Sequence, residues 1–404
     1  MSGYASGNRV HVSTRKEIAS LRERFPPTYL YIMDDVPKHC AMYQYITDDV
    51  PKYTLGLPPS KVDIFERQIP EGQNFVTFDS SNLMAAKEPL VITAKDEMRK
   101  WSREMRSQGK SIGLVPTMGY LHQGHLSLIQ EAHKHSHLIV VSIYVNPGQF
   151  SPSEDLSTYP SDLHGDMLKL KSVPGGVDVV FCPKNLYDYN NDSDEKQKNK
   201  NGNENLGAGG GDGNGVVSCV EEKGSGHETW VRVERLEKGL CGKSRPVFFR
   251  GVATIVTKLF HIVEPDVAVF GKKDYQQWRI IQRMVRDLDF AIEIVGSEIT
   301  RDSDGLALSS RNVHLSPEER QKALSISRSL SKAKAAAKEG QVKCRELKDS
   351  AILTITQAGG RIDYAEIVDQ ENLKSVEEMK GPVVFCIAAW FGKVRLIDNM
   401  EIDI

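Results

Sequence analysis

The sequence lacks three features that would place it in a specialised class: an excess of one charge, closely spaced cysteines and a long apolar run. Its 52 lysines and arginines nearly balance its 54 aspartates and glutamates, so the overall charge does not favour nucleic acid or an anionic membrane as a partner. The six cysteines are scattered, without a C-x-x-C pair. That distribution is typical of reduced thiols inside the cell.

Membrane insertion and secretion are also disfavoured. The longest apolar run, LIVVSIYV, is far shorter than the ~20 residues that a membrane-spanning helix needs. The N-terminal stretch MSGYASGNRVHVSTRKE contains no apolar core of a signal peptide. We therefore expect a cytoplasmic protein without a membrane partner.

Beyond position 84, apolar β-branched runs alternate with segments of helical periodicity. The strand-like runs are SIGLVPT, LIVVSIYV, GVDVVFCP, VAVF and AIEIVG, and such an alternation predicts a parallel, doubly wound α/β sheet. Later, Ser316, Pro317 and Glu319 form a helix-start signal with a capping box. The stretch VVFCIAAWFGKVRLI then predicts two strands around a turn, so we expect a smaller C-terminal α+β domain.

Two stretches do not fit this alternation. Residues 1–83 have weak periodicity, so we expect a poorly ordered extension of unknown role, with Met84 as a candidate translation start. Residues 189–228 are mostly Asn, Asp, Gly, Lys and Glu, which cannot bury enough apolar surface to fold. We expect a disordered insertion there, followed by a strand at WVRVERL. The predicted domains are 84–300, Rossmann-like and containing the insertion, and 301–404.

Residues 115–129 read VPTMGYLHQGHLSLI and combine the features of a phosphate-binding turn. A strand is predicted to end at Val115, Gly124 lets the backbone approach a ligand closely, and a helix with free N–H groups is predicted to start at His125. The imidazoles of His122 and His125 can bond phosphoryl oxygens. The alternative is that both histidines only cap the helix, but the H-x-G-H spacing favours phosphate binding.

This stretch resembles the nucleotide-binding signature of the pantothenate synthetase (pantoate–β-alanine ligase) family, which belongs to a broader group of nucleotidyltransferase folds. Three later segments are similar to the same family in the same order: VSIYVNPGQFSPSEDLSTYP, FFRGVATIVTKLFHIVEPDVAVFGKKDYQQWRIIQRMVRDL and DGLALSSRNVHLSPEER. The resemblance covers residues 88–404 apart from the insertion. The stretch GKSRPVFFRGVATIV is most similar to the plant type.

The resemblance implies an ATP-dependent ligation in two steps. The carboxylate of (R)-pantoate attacks the α-phosphorus of ATP to give pantoyl adenylate and pyrophosphate, and the amine of β-alanine then displaces AMP to give pantothenate. It also implies Mg²⁺ on the ATP phosphates, a homodimer, and small molecules rather than nucleic acid as partners. Two alternatives remain at this stage: another H-x-G-H adenylylating nucleotidyltransferase, and a catalytically silent nucleotide-binding scaffold.

The resemblance also assigns residues to the site. His125, His122 and Lys273 would be catalytic, with His125 in the position of a proton donor. Gln149 and Gln277 would bind pantoate and β-alanine, beside an apolar wall that includes Pro116. The implied ATP site comprises Met118, Gly119, Tyr120, Leu121, His122, Gln123, Gly124, His125, Gly271, Lys272, Lys273, Asp274, Thr300, Leu308, Ser309, Ser310 and Arg311.

Three positions depart from the common family pattern, and the metal ligands stay open. Lys272 stands where many members have Glu, Thr300 where the residue is often apolar, and Gly148 where a bulkier residue is common. We expect Gly148 to loosen its loop. Asp166 is a candidate for approaching Mg²⁺ through water, but the resemblance assigns no metal ligand.

Overall fold

A computed structural model of the protein describes residues 88–187, 217–222 and 227–403. The predictions for residues 1–83 and for Met84 therefore lie outside the described residues, as does the prediction for most of the insertion. The described residues belong to one compact unit, Ala86–Ile404.

The larger of two sheets is parallel throughout, as the strand-helix alternation predicts. Its strands are β1 (Leu90–Ile92), β2 (Ile112–Thr117), β3 (Leu138–Ile143), β4 (Val179–Phe181), β5 (Val267–Gly271) and β6 (Glu293–Ser297). They lie in the order β1-β4-β3-β2-β5-β6. The direction of strand addition changes between β2 and β5, and in such sheets ligands bind beyond the carboxyl ends of the strands at that point.

Helices cover this sheet, which is why its central strands are continuous apolar runs. The helices of this part of the chain are α1 (Lys95–Ser107), α2 (Gln123–Ala132), α3 (Leu163–Lys171), α4 (Cys219–Glu222), α5 (Leu240–Ser244), α6 (Phe248–Val263) and α7 (Tyr275–Asp287). Twelve of the residues of α6 are buried, so this helix is a central element of the core.

The C-terminal layer contains two helices and a three-stranded antiparallel sheet, which confirms the predicted smaller domain. Its elements are α8 (Pro317–Lys338), α9 (Cys344–Gln357), β7 (Arg361–Asp369), β8 (Val383–Phe391) and β9 (Val394–Ile402), with the strands in the order β7-β8-β9. The predicted capping box at Ser316 and Glu319 is present. Alternate residues of β8 face opposite sides: Phe385 packs in the C-terminal core, and Val384 packs against the core of the parallel sheet.

The predicted strand at WVRVERL is wrong. No strand is assigned between residues 227 and 238, because this segment pairs with a helix rather than with a sheet. The backbone N–H of Val231 donates to Thr254 Oγ1 on α6 over 3.0 Å, and Arg232 forms an ion pair with Glu237.

The predicted insertion contains a packed segment that its composition does not indicate. The short helix α4 begins with a capping box in which Ser218 and Glu221 bond each other's backbone N–H groups, and the S-x-x-E pattern of SCVEE is its signal. Cys219 N donates to Phe150 O over 3.0 Å, and Glu221 lies 2.9 Å from the Arg250 guanidinium. Residues 217–222 are therefore packed against the fold.

We expect two deletions in the insertion to give different results. Removing residues 189–215 should leave the activity of the protein within a few-fold and its thermal midpoint nearly unchanged, because loop-closure entropy varies only slowly with length. Removing 189–228 also deletes α4 and its contacts with Phe150 and Arg250, so the thermal midpoint should fall by several degrees. Initial rates and thermal midpoints of both variants check this; equal midpoints would contradict the role of α4.

Candidate active site

A cavity of about 260 Å³ opens between the carboxyl ends of β2 and β5, at the point that the strand order indicates. Side chains of α6, the segment 298–311 and β9 complete its wall. Its lining combines apolar side chains with imidazole, ammonium, guanidinium and hydroxyl groups. The apolar residues include Val252, Ile255, Val256, Leu259 and Phe270.

The H-x-G-H turn follows β2 and enters α2. Its backbone is left-handed at Gly119 (φ 82°) and Tyr120 (φ 50°). The buried carboxylate of Asp166 on α3 holds it by accepting the backbone N–H groups of Tyr120, at 2.7 Å, and Leu121, at 2.6 Å. Both Asp166 oxygens thus bond the turn, so the suggested approach of this carboxylate to Mg²⁺ has no support in the structure.

Both histidines cap α2 and also line the cavity. His122 Nδ1 accepts the backbone N–H of Gly124 over 3.1 Å, and His125 Nδ1 accepts the backbone N–H of His122 over 3.2 Å. A Cβ at Gly124 would lie 2.9 Å from the His122 ring, so glycine permits this close approach. Because each Nδ1 is an acceptor, the ring proton of the neutral imidazole lies on Nε2. Each Nε2–H group remains available to a ligand.

The environment keeps both imidazoles neutral. Burial, reinforced by the positive charges of Lys273 and Lys169, lowers the pKa of His122 to about 4. Burial, together with His122 and Lys273, holds the pKa of His125 well below its usual value. At neutral pH the pair can therefore donate hydrogen bonds to an anion without adding charge.

Lys272 and Lys273 follow β5 in a 3₁₀ turn but point to different places. Lys273 lines the cavity, 3.8 Å from the carboxylate of its neighbour Asp274. The ammonium group of Lys272 instead pairs with Glu298 at 2.6 Å and with Glu401 at 2.9 Å. The Lys272 side chain itself does not line the ligand cavity, although its partner Glu298 does.

The Leu308–Arg311 segment also lines the cavity. Its backbone is attached to Thr300, whose carbonyl accepts the N–H of Leu308 over 3.0 Å. Ser310 Oγ donates to Tyr120 O over 3.2 Å, which joins this segment to the H-x-G-H turn. The Arg311 guanidinium lies 3.0 Å from Asp155; burial lowers its pKa, but the Asp155 carboxylate outweighs this, so the pKa is raised and the group stays charged.

The structure brings most of the predicted site residues to one cavity. Those that line it are Pro116, Met118, His122, Gly124, His125, Gln149, Gly271, Lys273, Asp274, Gln277, Thr300, Leu308, Ser309, Ser310 and Arg311. The predicted residues outside its wall are Gly119, Tyr120, Leu121, Gln123 and Lys272. Leu121 is buried in the core and Gln123 is exposed, because a turn that enters a helix directs successive side chains to different sides.

Several polar groups of the cavity escape the reasoning from sequence, among them Asn146, Arg245 and Arg395. Asn146 orients the side chain of Gln149, since Asn146 Nδ2 donates to Gln149 Oε1 over 2.8 Å. Its position in NPGQF, three residues before the predicted ligand Gln149, could have indicated this role. Arg245, paired with Glu154, belongs to the quoted stretch GKSRP. Arg395, paired with Asp363 at 2.6 Å, carries no local signal.

The expectation that Gly148 loosens its loop is wrong. Gly148 is buried, and its N–H donates to Asn146 Oδ1 over 3.2 Å. A Cβ at this position would lie 2.7 Å from Tyr187 Oη. Tyr187 therefore occupies the space that a bulkier residue would need, and its ring packs edge-on against His227 at 4.8 Å between centroids.

The chain is similar to known proteins over most of its described length. A family model described as Pantoate-beta-alanine ligase matches residues 90–401. The chain is 69% identical over 317 residues to the pantoate–β-alanine ligase of Lotus japonicus and 68% identical over 317 residues to that of Arabidopsis thaliana. Each alignment covers 78% of this chain and 99% of the relative.

Two solved structures are similar to the fold. The pantothenate synthetase from Thermus thermophilus has a TM-score of 0.63 and 36% identity, over 77% of this chain and 99% of that one. The pantoate–β-alanine ligase from Francisella tularensis, complexed with β-γ ATP and β-alanine, has a TM-score of 0.56 and 28% identity, over 77% of this chain and 97% of that one.

Proposed function

Because this chain belongs to the pantoate–β-alanine ligase family, we propose that its cavity condenses (R)-pantoate with β-alanine, converting ATP to AMP and pyrophosphate. A pantoate carboxylate oxygen bonds to the α-phosphorus as pyrophosphate leaves. The β-alanine amine then attacks the acyl carbon, AMP leaves and the amine loses a proton. The condensation of a carboxylate with an amine in water has an unfavourable free energy. Activation of pantoate as a mixed anhydride with AMP, formed at the expense of ATP, therefore supplies the driving force.

The observation that carries this proposal is that two chemically different sets of side chains line one cavity. Neutral histidine donors and the charges of Lys273 and Arg311 suit a polyphosphate, whereas two glutamine amides beside apolar side chains suit a small hydroxy acid. Such preorganised groups stabilise the charge that develops as phosphate bonds rearrange.

The roles follow from where the groups lie. His125 and His122 present Nε2–H donors and Lys273 an ammonium charge to the phosphate oxygens. Ser309, Ser310 and the Arg311 fork bind the β- and γ-phosphates as pyrophosphate leaves. Phosphate has to compete with the Asp155 carboxylate for that fork. The C-terminal domain, taken as 301–404, closes over the site.

The amide pair and the apolar wall fit pantoate. Gln149 and Gln277 can bond its hydroxyl and carboxylate oxygens, and the Asn146 hydrogen bond fixes Gln149. The geminal dimethyl group would contact the apolar wall, which includes Pro116 and Met118 from the sequence assignment and Val256 from α6.

Mg²⁺ is placed on the ATP phosphates rather than in a protein cage. Across residues 88–187, 217–222 and 227–403, no group of three or more His, Cys, Asp or Glu side chains could hold a metal ion. Of the carboxylates that line the cavity, Glu298 is closely paired with Lys272 at 2.6 Å, whereas Asp274 lies 3.8 Å from Lys273, so Asp274 is the one that would meet the ion, through water. Bound Mg²⁺ neutralises phosphate charge and keeps several waters.

A homodimer in the cytoplasm completes the proposal. Strand β1 lies at the edge of the parallel sheet, where Leu90 is 48% and Val91 46% exposed. In the part of the chain that the structure describes, every helix is too short or too polar to cross a lipid bilayer. Sedimentation velocity tests the dimer, and a monomer at micromolar concentration would contradict it.

An assay of AMP release tests the proposed reaction. AMP should accumulate only when ATP, pantoate and β-alanine are all present, and pantoate with ATP alone should give one equivalent of enzyme-bound adenylate. AMP transfer to a phosphate acceptor would favour another H-x-G-H nucleotidyltransferase. Absence of any turnover by the folded protein would favour a silent scaffold.

We expect Gln277→Ala to raise the KM for pantoate at least about tenfold while changing the KM for ATP by less than about twofold. The reason is that the amide is assigned to the acid, and a lost hydrogen bond to a charged group costs about 1.5–3 kcal/mol. Steady-state kinetics with each substrate varied check this. Gln282→Ala, on the same helix but outside the cavity wall, is the control; equal rises in both KM values for Gln277→Ala would count against the assignment.

A further inference from the structure

Strand β9 separates the ligand cavity from the C-terminal core. Successive side chains of a strand point to opposite faces, and Arg395 and Ile397 line the cavity while Leu396 and Ile402 pack in the C-terminal core. The residues on the cavity side of β9 are therefore Arg395, Ile397, Asn399 and Glu401.

Asn399 holds the turn that carries the cavity lysine. Its side chain is buried, with the residue 4% exposed, and its Nδ2 donates to both Lys272 O and Lys273 O over 2.9 Å. Glu401, two residues further, accepts from Lys272 Nζ at 2.9 Å and from Tyr275 Oη at 3.0 Å. Strand β9 therefore fixes the backbone from which Lys273 extends.

Asp398, on the opposite face of the same strand, holds the residues that lead into the Leu308–Arg311 segment, to which the proposed function assigns phosphate binding. Its two oxygens accept a fork of hydrogen bonds from Arg301, at 2.6 and 2.8 Å, and the residue is 5% exposed. Arg301 pairs with Ala307 in an antiparallel bridge, and Arg301 Nη1 donates to Gly305 O over 3.1 Å. This hairpin leads directly into Leu308 and the serines that follow it.

We propose that Asp398 and Asn399 are positioning residues that set the separation between Lys273 and the Leu308–Arg311 segment, so that both contact one ATP polyphosphate. The two residues are joined, since the N–H of Asn399 donates to Asp398 Oδ1 over 2.8 Å. The inference rests on the proposed function, because that function assigns Lys273 and Ser309 to phosphate. Small misplacements of such groups reduce rates strongly.

A double-mutant cycle tests whether Asn399 acts through Lys273. Asn399→Ala should slow single-turnover formation of pantoyl adenylate about 10- to 100-fold, with the KM for pantoate changed by less than about twofold. In the Lys273→Ala background the same change should have almost no further effect, because the group that it positions is gone. A second cycle, with Asp398→Asn and Ser309→Ala, tests in the same way whether Asp398 acts through the Leu308–Arg311 segment.

Two further variants separate positioning from general stability. Asn399→Leu keeps most of the side-chain volume but cannot donate to the carbonyls, so it should reproduce the loss if Asn399→Ala does not fold. Gln370→Ala, just after β7, removes amide hydrogen bonds from Nε2 to Val383 O at 3.1 Å and to Asp403 Oδ1 at 3.0 Å, away from the cavity wall. It should leave adenylate formation unchanged.

Three outcomes decide the matter. If the effects of Asn399→Ala and Lys273→Ala multiply, or if the folded Asn399 variants form adenylate at the wild-type rate, the positioning role is overturned. If Lys273→Ala itself forms adenylate normally, the failure lies in the proposed function of that lysine. A slower rate of adenylate formation in Asn399→Ala that appears only when Lys273 is intact supports the inference.

Discussion

Replacing His125 by alanine should lower the rate of pantoyl adenylate formation about 10²–10³-fold, since losing one preorganised donor to developing charge has this effect. The variant should remain folded, with a modest fall in thermal midpoint, because His125 also accepts one backbone N–H at the start of α2. Rapid-quench measurement of the first turnover checks the rate.

Two histidine variants show which property of His125 matters. His125→Gln retains an amide donor, so it should be more active than His125→Ala if the neutral imidazole only donates a hydrogen bond. A charged acid would make both variants equally poor. His135→Ala, beyond the end of α2 and outside the cavity wall, should be close to wild type. A wild-type adenylation rate in His125→Ala would remove this residue from the mechanism.

Replacing Lys273 by alanine should have an effect of similar size, about 10²–10³-fold on adenylate formation. The ammonium group is the lysine charge that lines the cavity in the described residues, and it also helps to lower the pKa of both histidines. Its loss should therefore raise the pKa of His122 above about 4, although burial alone keeps it below the usual value. NMR titration of the imidazole signals follows this change.

The neighbouring lysine is a matched control. Lys272→Ala removes the same charge one residue earlier in the chain, but the Lys272 ammonium group does not line the cavity and is paired with Glu298, which lines it, and with Glu401. We expect adenylate formation within a few-fold of wild type, with some loss of stability. Equal damage from Lys272→Ala and Lys273→Ala would show that the loss reflects the turn as a whole rather than the cavity charge.

The sequence by itself determined those strands and ligand motifs that a short, continuous run of residues specifies. Buried parallel strands are continuous apolar runs, so the six-stranded sheet was largely predictable, whereas β7, RIDYAEIVD, was missed because polar residues interrupt it. The ligand residues are grouped in short motifs with distinctive chemistry, and these pointed to one phosphate-handling site. The capping box of Ser218 and Glu221 shows that a polar insertion can contain a packed helix that its amino-acid composition does not indicate.

The tertiary structure decided which members of each motif face the ligand and in what state. Lys272 and Lys273 are adjacent and identical in type, yet contacts with Glu298 and Glu401, both distant in the chain, hold the ammonium group of Lys272 out of the cavity wall. The neutrality of His122 and His125 likewise arises from burial and from a lysine on another strand end. Desolvation and charge act through space, so side-chain direction and protonation state depend on long-range contacts that a local pattern does not contain.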